Sequence, residues 1–440
     1  MHDRSNPPIL LGEITHSGRP RIWVVHPMRA PPGRRSFALA MNPEHHVVVV
    51  GAGPAGIASA LALKDAGLSA VVLDEADRVA ASWRSRYESL RLNTWRRFSH
   101  LPGRPYPKGT PTFPSRDQVI EHIEHHAGEE GIELRLGERV ERIYRGDGHW
   151  VVHTSAGELR APQVVVATGL DKTPVVPDWP GRETFQGELL HSSEYRNARP
   201  FAGRQVLVVG PGSSGMEIAH ELADGGAAKV WLAVRTPPNI LLRQGPGAVP
   251  GDLIATWLWH LPTAVADRIA RFAARMDLGD LTEYGLPQPE TGVFTNARTQ
   301  GRVPAIVDAE VIEAIKDGRI EVVAAVAALD STRVELADGA RVEPDAVICA
   351  TGYRRALEPL VGDLGVLGER GMPKVIAPRP AAPGLRFAGY LVRPGGLGYM
   401  GKQARRSATA IARELRRGRS VEPARLADPS RPAVSRRSSS

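Results

Sequence analysis

Two glycine-rich motifs of equal spacing could bind the phosphates of two dinucleotides. They are Gly51, Gly53 and Gly56, and Gly210, Gly212 and Gly215. Between a strand and a helix, the first glycine permits a tight turn and the second lets the backbone approach a pyrophosphate. The third lets the helix pack closely on the strand, and free N–H groups at the helix start attract the phosphates. The residues that would share these contacts are Pro54, Ala55, Ser213 and Ser214.

The residue after the second strand of each unit indicates which nucleotide binds. An acid about 20 residues after the motif can hold ribose hydroxyls, and the first unit has Asp74 there, with Glu75 beside it. The second unit has Arg235 instead, with Arg243 as a second candidate. Because a carboxylate would repel a 2′-phosphate and an arginine would bind it, we predict FAD at the first motif and NADPH at the second. The alternative, that Arg235 is only a surface charge, stays open.

The elements that must position these residues occur twice in the same order. In each half a β-branched run, the glycine turn, a helix-like stretch and a second apolar run follow one another. In the first half the two runs are His46–Val50 and Ala70–Leu73, and the helix-like stretch between them is Ile57–Asp65. In the second half the runs are Gln205–Val209 and Val230–Val234, with a helix through Leu222 between them. Later strand-like runs are Ile132–Leu136, Trp150–His153, Gln163–Val166, Ile320–Val323, Arg333–Leu336 and Ala346–Cys349. This βαβ order predicts an α/β protein with two Rossmann-like dinucleotide-binding domains.

The domain boundaries predicted from these runs place the NADPH-binding domain inside the FAD-binding domain. The FAD-binding domain consists of two parts, 43–175 and 326–418, and the NADPH-binding domain is 176–325 between them. We predict a disordered extension at 1–42 and a disordered tail at 419–440. Met41 is an alternative start. A helical insertion at about 251–301 carries an apolar stripe, which we expect to pack on the protein itself, for example as a lid; a membrane-surface helix is the alternative.

Composition excludes several other classes of protein. The single cysteine, Cys349, rules out an internal disulfide framework and fits a reducing cytoplasm. No apolar stretch reaches the roughly 18 residues that span a bilayer, and no secretory signal is evident. The net charge of +8 is interpreted as solvated arginine-rich tails, so we predict no nucleic-acid partner. A homodimer is a separate expectation. We interpret His122, His125 and His126 as a solvated helix face and predict no metal.

Ordered motifs resemble a known family. The run from Phe185 to Tyr195 resembles the F-x-G-x-x-x-H-x-x-x-Y signature of flavin-containing monooxygenases. Further matches are Tyr87–Asn93, Pro111–Arg116, Glu283–Pro287, Thr299–Gly301 and Ala350–Tyr353. From about Val47 to Leu415 the chain is similar to these enzymes, and within them to the plant YUCCA enzymes, which decarboxylate indole-3-pyruvate oxidatively. The YUCCA-like pattern typically has His where this chain has Asn93, which brings it closer to N- or S-oxygenating members.

The resemblance implies an activity and its cofactors. NADPH would reduce FAD, reduced flavin and O₂ would form a C4a-hydroperoxyflavin, and NADP⁺ would stay bound. The oxygen acceptor would be a small soft nucleophile, an amine or a sulfide, or a 2-oxo acid of the indole-3-pyruvate type. The alternatives are an NADPH-dependent flavin reductase that passes electrons to a quinone or partner protein, and a flavin-binding protein without catalysis.

The resemblance also suggests site residues outside the glycine motifs. Asn93 would hydrogen-bond the reactive flavin or the nicotinamide ribose, although it could be a plain turn residue. His191 would orient the linker between the two nucleotide sites, or serve only as a structural histidine. Cofactor contacts are further predicted for Trp83 and for three residues that follow strand-like runs, Thr168, Thr351 and Gly352.

Overall fold

The computed structural model describes residues 45–417, which all belong to the unit Met41–Ser440. The strands are β1 (Val47–Val50), β2 (Ala70–Asp74), β3 (Glu133–Leu136), β4 (Val140–Arg145), β5 (Trp150–Thr154), β6 (Gly157–Ala161), β7 (Gln163–Val166), β8 (Thr173–Pro174), β9 (Glu188–His191), β10 (Gln205–Val209), β11 (Lys229–Val234), β12 (Ile240–Leu242), β13 (Ala305–Val307), β14 (Glu321–Ala324), β15 (Val326–Leu329), β16 (Val334–Leu336), β17 (Arg341–Val342), β18 (Ala346–Cys349), β19 (Tyr353–Arg354) and β20 (Leu385–Phe387). The helices are α1 (Pro54–Asp65), α2 (Ala81–Arg84), α3 (Arg116–Glu129), α4 (Ser213–Asp224), α5 (Gly251–Leu258), α6 (Thr263–Leu278), α7 (Val293–Thr295), α8 (Ala309–Lys316), α9 (Glu358–Val361) and α10 (Gly396–Arg416). The extension and tail predicted at 1–42 and 419–440 lie outside the described residues.

The first glycine motif lies at the end of the central strand of a parallel sheet. The strand order is β20-β7-β1-β2-β3, and all four pairings are parallel. The four valines of β1 are all buried, because helices cover one face and the small sheet β4–β6 covers the other. Val47 and Val49 pack with α1, α3 and α10, while Val48 and Val50 pack toward β4–β6.

The second sheet repeats this plan around the second glycine motif. Its order is β14-β11-β10-β18-β9, again with parallel pairings throughout. Val206 and Val208 of β10 face α4 and α8, and Leu207 and Val209 face the small antiparallel sheet β15–β17. The predicted fold of two Rossmann-like domains is therefore confirmed, and the predicted strands differ from the observed ones by at most one residue at either end.

One predicted domain boundary differs from the strand pairing. We placed 326–418 in the second part of the FAD-binding domain, but β18 pairs with β10 and β9 in the second sheet. Leu329, Val334 and Leu336 of the β15–β17 sheet also pack on that second sheet. The chain returns to the first sheet only with β20. Sequence patterns identify a strand but not its partner, which explains why this boundary was set too early.

The large apolar side chains of the helical insertion face outward, and we had predicted that they pack on the protein. Helices α5 and α6 bury three alanines and one leucine against Val293 and Phe294, and these are Ala255, Ala266, Ala270 and Leu258. Most of the large apolar side chains are exposed: Leu253, Ile254, Trp257, Val265, Ile269, Phe272 and Met276, with Trp257 at 75%. The prediction that this stripe packs on the protein is therefore wrong, because helical spacing does not distinguish a buried stripe from an outward one. Within residues 45–417, no helix is long and apolar enough to cross a bilayer.

The histidines of α3 differ from the solvated face that we predicted. His122 is buried, and its ring is stacked on Tyr106 at a centroid distance of 4.1 Å. Its Nε2 accepts a hydrogen bond from the N–H of Leu101 at 3.3 Å. Burial lowers the pKa of His122 to about 4, so its ring is neutral near neutral pH. Only His125 is exposed as expected.

Candidate active site

An open cleft of about 990 Å³ contains residues of both glycine motifs. The predicted cofactor contacts that line it are Gly51, Gly53, Pro54, Ala55, Asp74, Glu75, Trp83, Thr168 and Ser214. Leu397 and Met400 of α10 border it as well. Since the carboxyl ends of parallel strands are where α/β proteins bind ligands, the cleft is the candidate active site.

The first glycine loop has the shape that a pyrophosphate requires. Gly51 has a φ of +109°, and a β-carbon there would lie 2.6 Å from the carbonyl oxygen of Ala167. A β-carbon on Gly56 would overlap the carbonyl oxygen of Gly51. By contrast, a β-carbon on Gly53 would meet no protein atom within 4 Å, so the space beside this backbone is open. Helix α1 begins at Pro54, where a missing N–H costs no helical hydrogen bond. These residues fit the diphosphate of FAD.

Asp74 is oriented by two backbone hydrogen bonds at the carboxyl end of β2. Its Oδ2 accepts from the N–H of Ala52 at 2.6 Å and its Oδ1 accepts from the N–H of Ala76 at 2.9 Å. Glu75 is instead paired with Lys172. Asp74 is therefore the better placed of the two acids to hold ribose hydroxyls.

The second glycine loop has nearly the same geometry as the first. Gly210 has a φ of +111°, and a β-carbon there would lie 2.6 Å from the carbonyl oxygen of Ala350. A β-carbon on Gly215 would overlap the carbonyl oxygen of Gly210, whereas one on Gly212 would meet nothing within 4 Å. The hydroxyl of Ser213 accepts a hydrogen bond from the N–H of Ile306 at 2.8 Å, so the protein itself uses this side chain. The loop fits the diphosphate of a second dinucleotide.

The two candidate arginines for the 2′-phosphate differ in their availability. Arg235 is exposed directly after β11 and forms no ion pair with a carboxylate of the described chain. Arg243 is only 3% exposed and is paired with both Glu217 and Asp308. The prediction of Arg243 as a second candidate phosphate ligand is therefore wrong, because its charge is already neutralised inside the protein. Arg235 stays the predicted contact.

We expect Arg235→Ala to weaken NADPH binding by roughly ten- to a hundredfold, which corresponds to the loss of one charge-assisted hydrogen bond to the 2′-phosphate. The affinity for NADH should barely change, since NADH lacks the 2′-phosphate. Dissociation constants for both nucleotides test this, with Arg333→Ala as a control at an exposed arginine of the β15–β17 sheet. Equal losses for the two nucleotides would show that Arg235 does not contact the phosphate.

Asn93 lies against the second glycine loop and is held by a buried charge network. Its Oδ1 accepts a hydrogen bond from Arg243 at 3.1 Å, and its Nδ2 donates toward the hydroxyl of Ser213 at 3.5 Å. Glu217 of α4 pairs with Arg243 and accepts a hydrogen bond from the hydroxyl of Tyr87. Burial raises the pKa of both Glu217 and Tyr87. The orientation of the Asn93 amide therefore depends on Arg243.

His191 lies inside the protein, where it holds two loops together. It is 2% exposed, its Nδ1 accepts from the N–H of Ser193 at 3.1 Å, and its Nε2 lies 3.1 Å from the carbonyl oxygen of Gly352. This pairing assigns the proton to Nε2, and burial lowers the pKa of His191. Ser193 and Tyr353, which follow these loops, line the cleft. We therefore assign His191 to positioning and not to contact with reacting atoms.

The two Ala-Thr-Gly segments also have distinct contacts. The hydroxyl of Thr168 lies 2.8 Å from that of Tyr390, and Thr168 lines the cleft. The hydroxyl of Thr351 donates to the carbonyl oxygen of Val175, and the N–H of Val175 donates to Gly352 at 3.0 Å. Thr351 and Gly352 therefore fix the crossing between the sheets, whereas Thr168 is placed to contact a cofactor.

Sequence reasoning missed several residues that shape the site. Arg86 lines the cleft, donates to the hydroxyl of Tyr353 at 2.7 Å and pairs with Asp171 at 2.8 Å. Glu217 was also missed; it pairs beneath Asn93 with Arg243, a residue that the sequence analysis named only as a candidate phosphate ligand. Tyr353 and Tyr87 belong to segments that we matched to a family. Those motif matches were the only feature of the sequence that could have indicated a role for the two tyrosines in the site.

Comparison with known proteins decides the family. The family model described as pyridine nucleotide-disulphide oxidoreductase matches residues 48–240. Indole-3-pyruvate monooxygenase YUCCA1 of Oryza sativa subsp. japonica is 39% identical over 336 residues, which cover 75% of this chain and 82% of that protein. This chain belongs to the YUCCA family of flavin monooxygenases. Probable indole-3-pyruvate monooxygenase YUCCA3 of Arabidopsis thaliana is 34% identical over 339 residues, which are 74% of this chain and 77% of that protein.

Solved structures share the fold of this YUCCA-family enzyme. A flavin-containing monooxygenase from Stenotrophomonas maltophilia aligns with a TM-score of 0.64 at 24% identity, over 84% of this chain and 98% of that one. A steroid monooxygenase bound to NADP aligns with a TM-score of 0.66 at 18% identity, over 86% and 87% of the two chains. The family membership confirms an oxidoreductase of the monooxygenase class with FAD and NADPH as cofactors, and does not favour the reductase alternative.

Proposed function

We propose that this YUCCA-family enzyme carries out the oxidative decarboxylation of an aromatic 2-oxo acid of the indole-3-pyruvate type. The observation that carries the proposal is the similarity over three quarters of the chain to enzymes named for that substrate. In the balanced reaction, one oxygen atom of O₂ bonds to the 2-oxo carbon and the other becomes water. The bond between the carboxylate and that carbon breaks, CO₂ leaves, and NADPH with one proton supplies the two electrons.

Residues of the cleft and of the second glycine unit have defined tasks in this reaction. The open backbone at Gly53 and the carboxylate of Asp74 would hold FAD, and Gly212, Ser214 and Arg235 would hold NADPH. When bound, the flavin supplies the electron transfer from NADPH to O₂. The chain's own part is to hold both cofactors, to limit water and to direct hydrogen-bond donors at the reacting atoms.

Asn93 is the donor whose placement best fits such a role. Arg243 occupies its Oδ1, so the Nδ2 hydrogens point toward the second glycine loop. Because that loop would hold the diphosphate of NADPH, the amide would contact the ribose next to the diphosphate and so position the nicotinamide. The amide is thus oriented before any ligand binds, which is the arrangement that makes a donor effective.

A second candidate function is the oxygenation of an amine or a sulfide. The observation that favours it is Asn93 itself, which stands where the YUCCA-like pattern typically has His and where N- and S-oxygenating members have Asn. The two candidates differ in their products, because only the first releases CO₂.

We expect an aromatic 2-oxo acid to be the best substrate in a panel that also contains amines, sulfides and ketones. Each turnover should consume one NADPH and release one CO₂, leaving an acid one carbon shorter. The measurements are NADPH absorbance, CO₂ release and product mass, with anaerobic reactions as the control. An N-oxide or a sulfoxide as the major product, without CO₂, would favour the second candidate.

The proposal also covers the oligomeric state of the enzyme and its cellular compartment. We propose a homodimer in the cytoplasm, where a chain with one buried cysteine needs no oxidising compartment.

A further inference from the structure

Three segments that are distant in sequence meet next to the cleft. The carboxylate of Asp252 on α5 accepts a hydrogen bond from the N–H of Trp95 at 2.9 Å. A β-carbon on Gly395 would lie 3.3 Å from the hydroxyl oxygen of Thr256, also on α5. Helix α5, the segment around residue 95 and the start of α10 therefore border one corner.

The start of α10 connects this corner to the candidate active site. A β-carbon on Gly398 would overlap the carbonyl oxygen of Phe98, so the first turn of α10 lies directly on the 95–98 segment. The neighbouring residues Leu397 and Met400 line the cleft. The first turn of α10 therefore lies between this corner and the cleft.

Three buried polar atoms in this corner have no hydrogen-bond partner. They are Asp252 Oδ1, Thr256 Oγ1 and Arg393 Nε, and Asp252 is only 6% exposed. Buried polar groups in folded proteins are almost always hydrogen-bonded, so each such atom calls for an explanation. A ligand with an acceptor group in the corner would supply partners for Arg393 Nε and for the Thr256 hydroxyl, whereas Asp252 Oδ1 requires a donor.

Arg393 is the cation of the corner. Its guanidinium lies 3.9 Å from the ring centre of Tyr399 and 5.5 Å from that of Trp259, and it forms no ion pair with a carboxylate anywhere in residues 45–417. Arg298 also lies over Trp259, at 4.7 Å, but its donors are used by Thr263 and by the Trp259 carbonyl oxygen. Arg393 therefore combines a free charge with two aromatic walls, whereas Arg298 is fixed by the protein.

We propose that Arg393, Trp259 and Tyr399 form a substrate subsite that binds the carboxylate and the ring of an aromatic 2-oxo acid. A guanidinium binds a carboxylate through two parallel hydrogen bonds, and aromatic side chains pack well against a planar ring. The 2-oxo carbon lies one bond from the anchored carboxylate, which places the reacting atom by a short and rigid link. This inference deepens the proposed function and rests on it.

The test compares an aromatic 2-oxo acid, as substrate, with its uncharged methyl ester on the FAD-loaded full chain; the ester cannot release CO₂ and is used as a competitive inhibitor. The KM of the wild type for the acid should be roughly ten- to a hundredfold lower than the inhibition constant of the ester, and Arg393→Ala should lose that preference through a higher KM for the acid. The inhibition constant of the ester should not change, and Arg393→Lys should keep part of the preference. Arg298→Ala is the matched control at the other arginine on Trp259 and should keep the full preference.

A second measurement separates the subsite from the reaction. The dissociation constant of the acid is determined by calorimetry without NADPH, and Arg393→Gln replaces the alanine variant if that variant loses FAD. If the wild type releases CO₂ but Arg393 variants keep both the acid preference and the affinity, the subsite is wrong and the proposed function stands. If the wild type binds the acid without releasing CO₂, the proposed function is wrong, and equal affinities in wild type and variant then also overturn the subsite.

Discussion

Replacing Arg243 with methionine is expected to destabilise the enzyme by about 3–5 kcal/mol at about pH 8, and by much less at about pH 5. Arg243 is buried, and the side chain of its partner Glu217 is only 14% exposed. Without the arginine, an ionised Glu217 would be left in a poorly hydrated site. Asp308, the other partner, is 43% exposed and can be hydrated by solvent, so it should add little to the loss.

The pH dependence follows from the direction of the pKa shift of Glu217. Burial already raises the pKa of Glu217 in the folded enzyme, and the charge of Arg243 partly offsets this rise. In the variant the offset is gone, so the folded-state pKa moves further above the unfolded value. A carboxyl with a raised folded-state pKa binds its proton more tightly in the folded state. Stability is therefore lost as the pH rises from the unfolded pKa through the folded one.

Urea unfolding of the variant at the two pH values measures this effect. The double variant Arg243→Met with Glu217→Gln should recover stability at high pH, because it leaves no buried charge. Arg204→Met, which breaks the more exposed pair with Glu188, is the matched control and should cost about 1 kcal/mol or less. Equal losses for Arg243→Met at both pH values would contradict the assignment of a charged Glu217 to this site.

Replacing Gly212 with alanine is expected to slow NADPH-driven flavin reduction at subsaturating NADPH by roughly a hundredfold, while FAD stays bound. A β-carbon on Gly212 meets no protein atom, so the fold should tolerate it. The methyl group would instead occupy the space in which the backbone approaches the pyrophosphate of the nucleotide. NADH should lose the same factor, because both nucleotides carry this diphosphate.

Gly53→Ala is the counterpart at the first motif and should release FAD. Gly128→Ala on α3 is the neutral control, since its added β-carbon also meets open space and its φ is not in the left-handed region. Stopped-flow reduction rates and the flavin-to-protein ratio are the two measurements. A Gly212→Ala enzyme that is reduced at the wild-type rate, or that loses FAD, would show that we assigned the two motifs wrongly.

The regular parts of the fold could be predicted because each has a local cause. The glycine spacing, the valine-rich strands and the acid at Asp74 all follow from the needs of one strand–turn–helix unit. Because the order of strand, glycine turn, helix and strand occurs twice, the second unit could be predicted as readily as the first. The near-identical loop geometry at Gly51 and Gly210 is the structural counterpart of that repeat.

The remaining features depend on contacts between distant segments, which spacing cannot reveal. Arg243 looked available for a phosphate, but Glu217 and Asp308 enclose it. The apolar stripe of the insertion had the right period and faces outward, because three alanines and one leucine made the closer packing. Asn93 and His191 were singled out from their motif positions alone, and only the structure distinguishes an oriented donor from a buried positioning residue.

The central claim is that the two dinucleotide sites together direct one oxygen atom of O₂ into an aromatic 2-oxo acid. The most direct measurement is a single incubation of the FAD-loaded enzyme with NADPH, the 2-oxo acid and ¹⁸O₂, followed by mass analysis of the product acid. We expect one labelled oxygen in the new carboxylate, with CO₂ released in equal amount to the NADPH consumed. Consumption of NADPH with unlabelled product, or with hydrogen peroxide as the only product of O₂, would contradict the account.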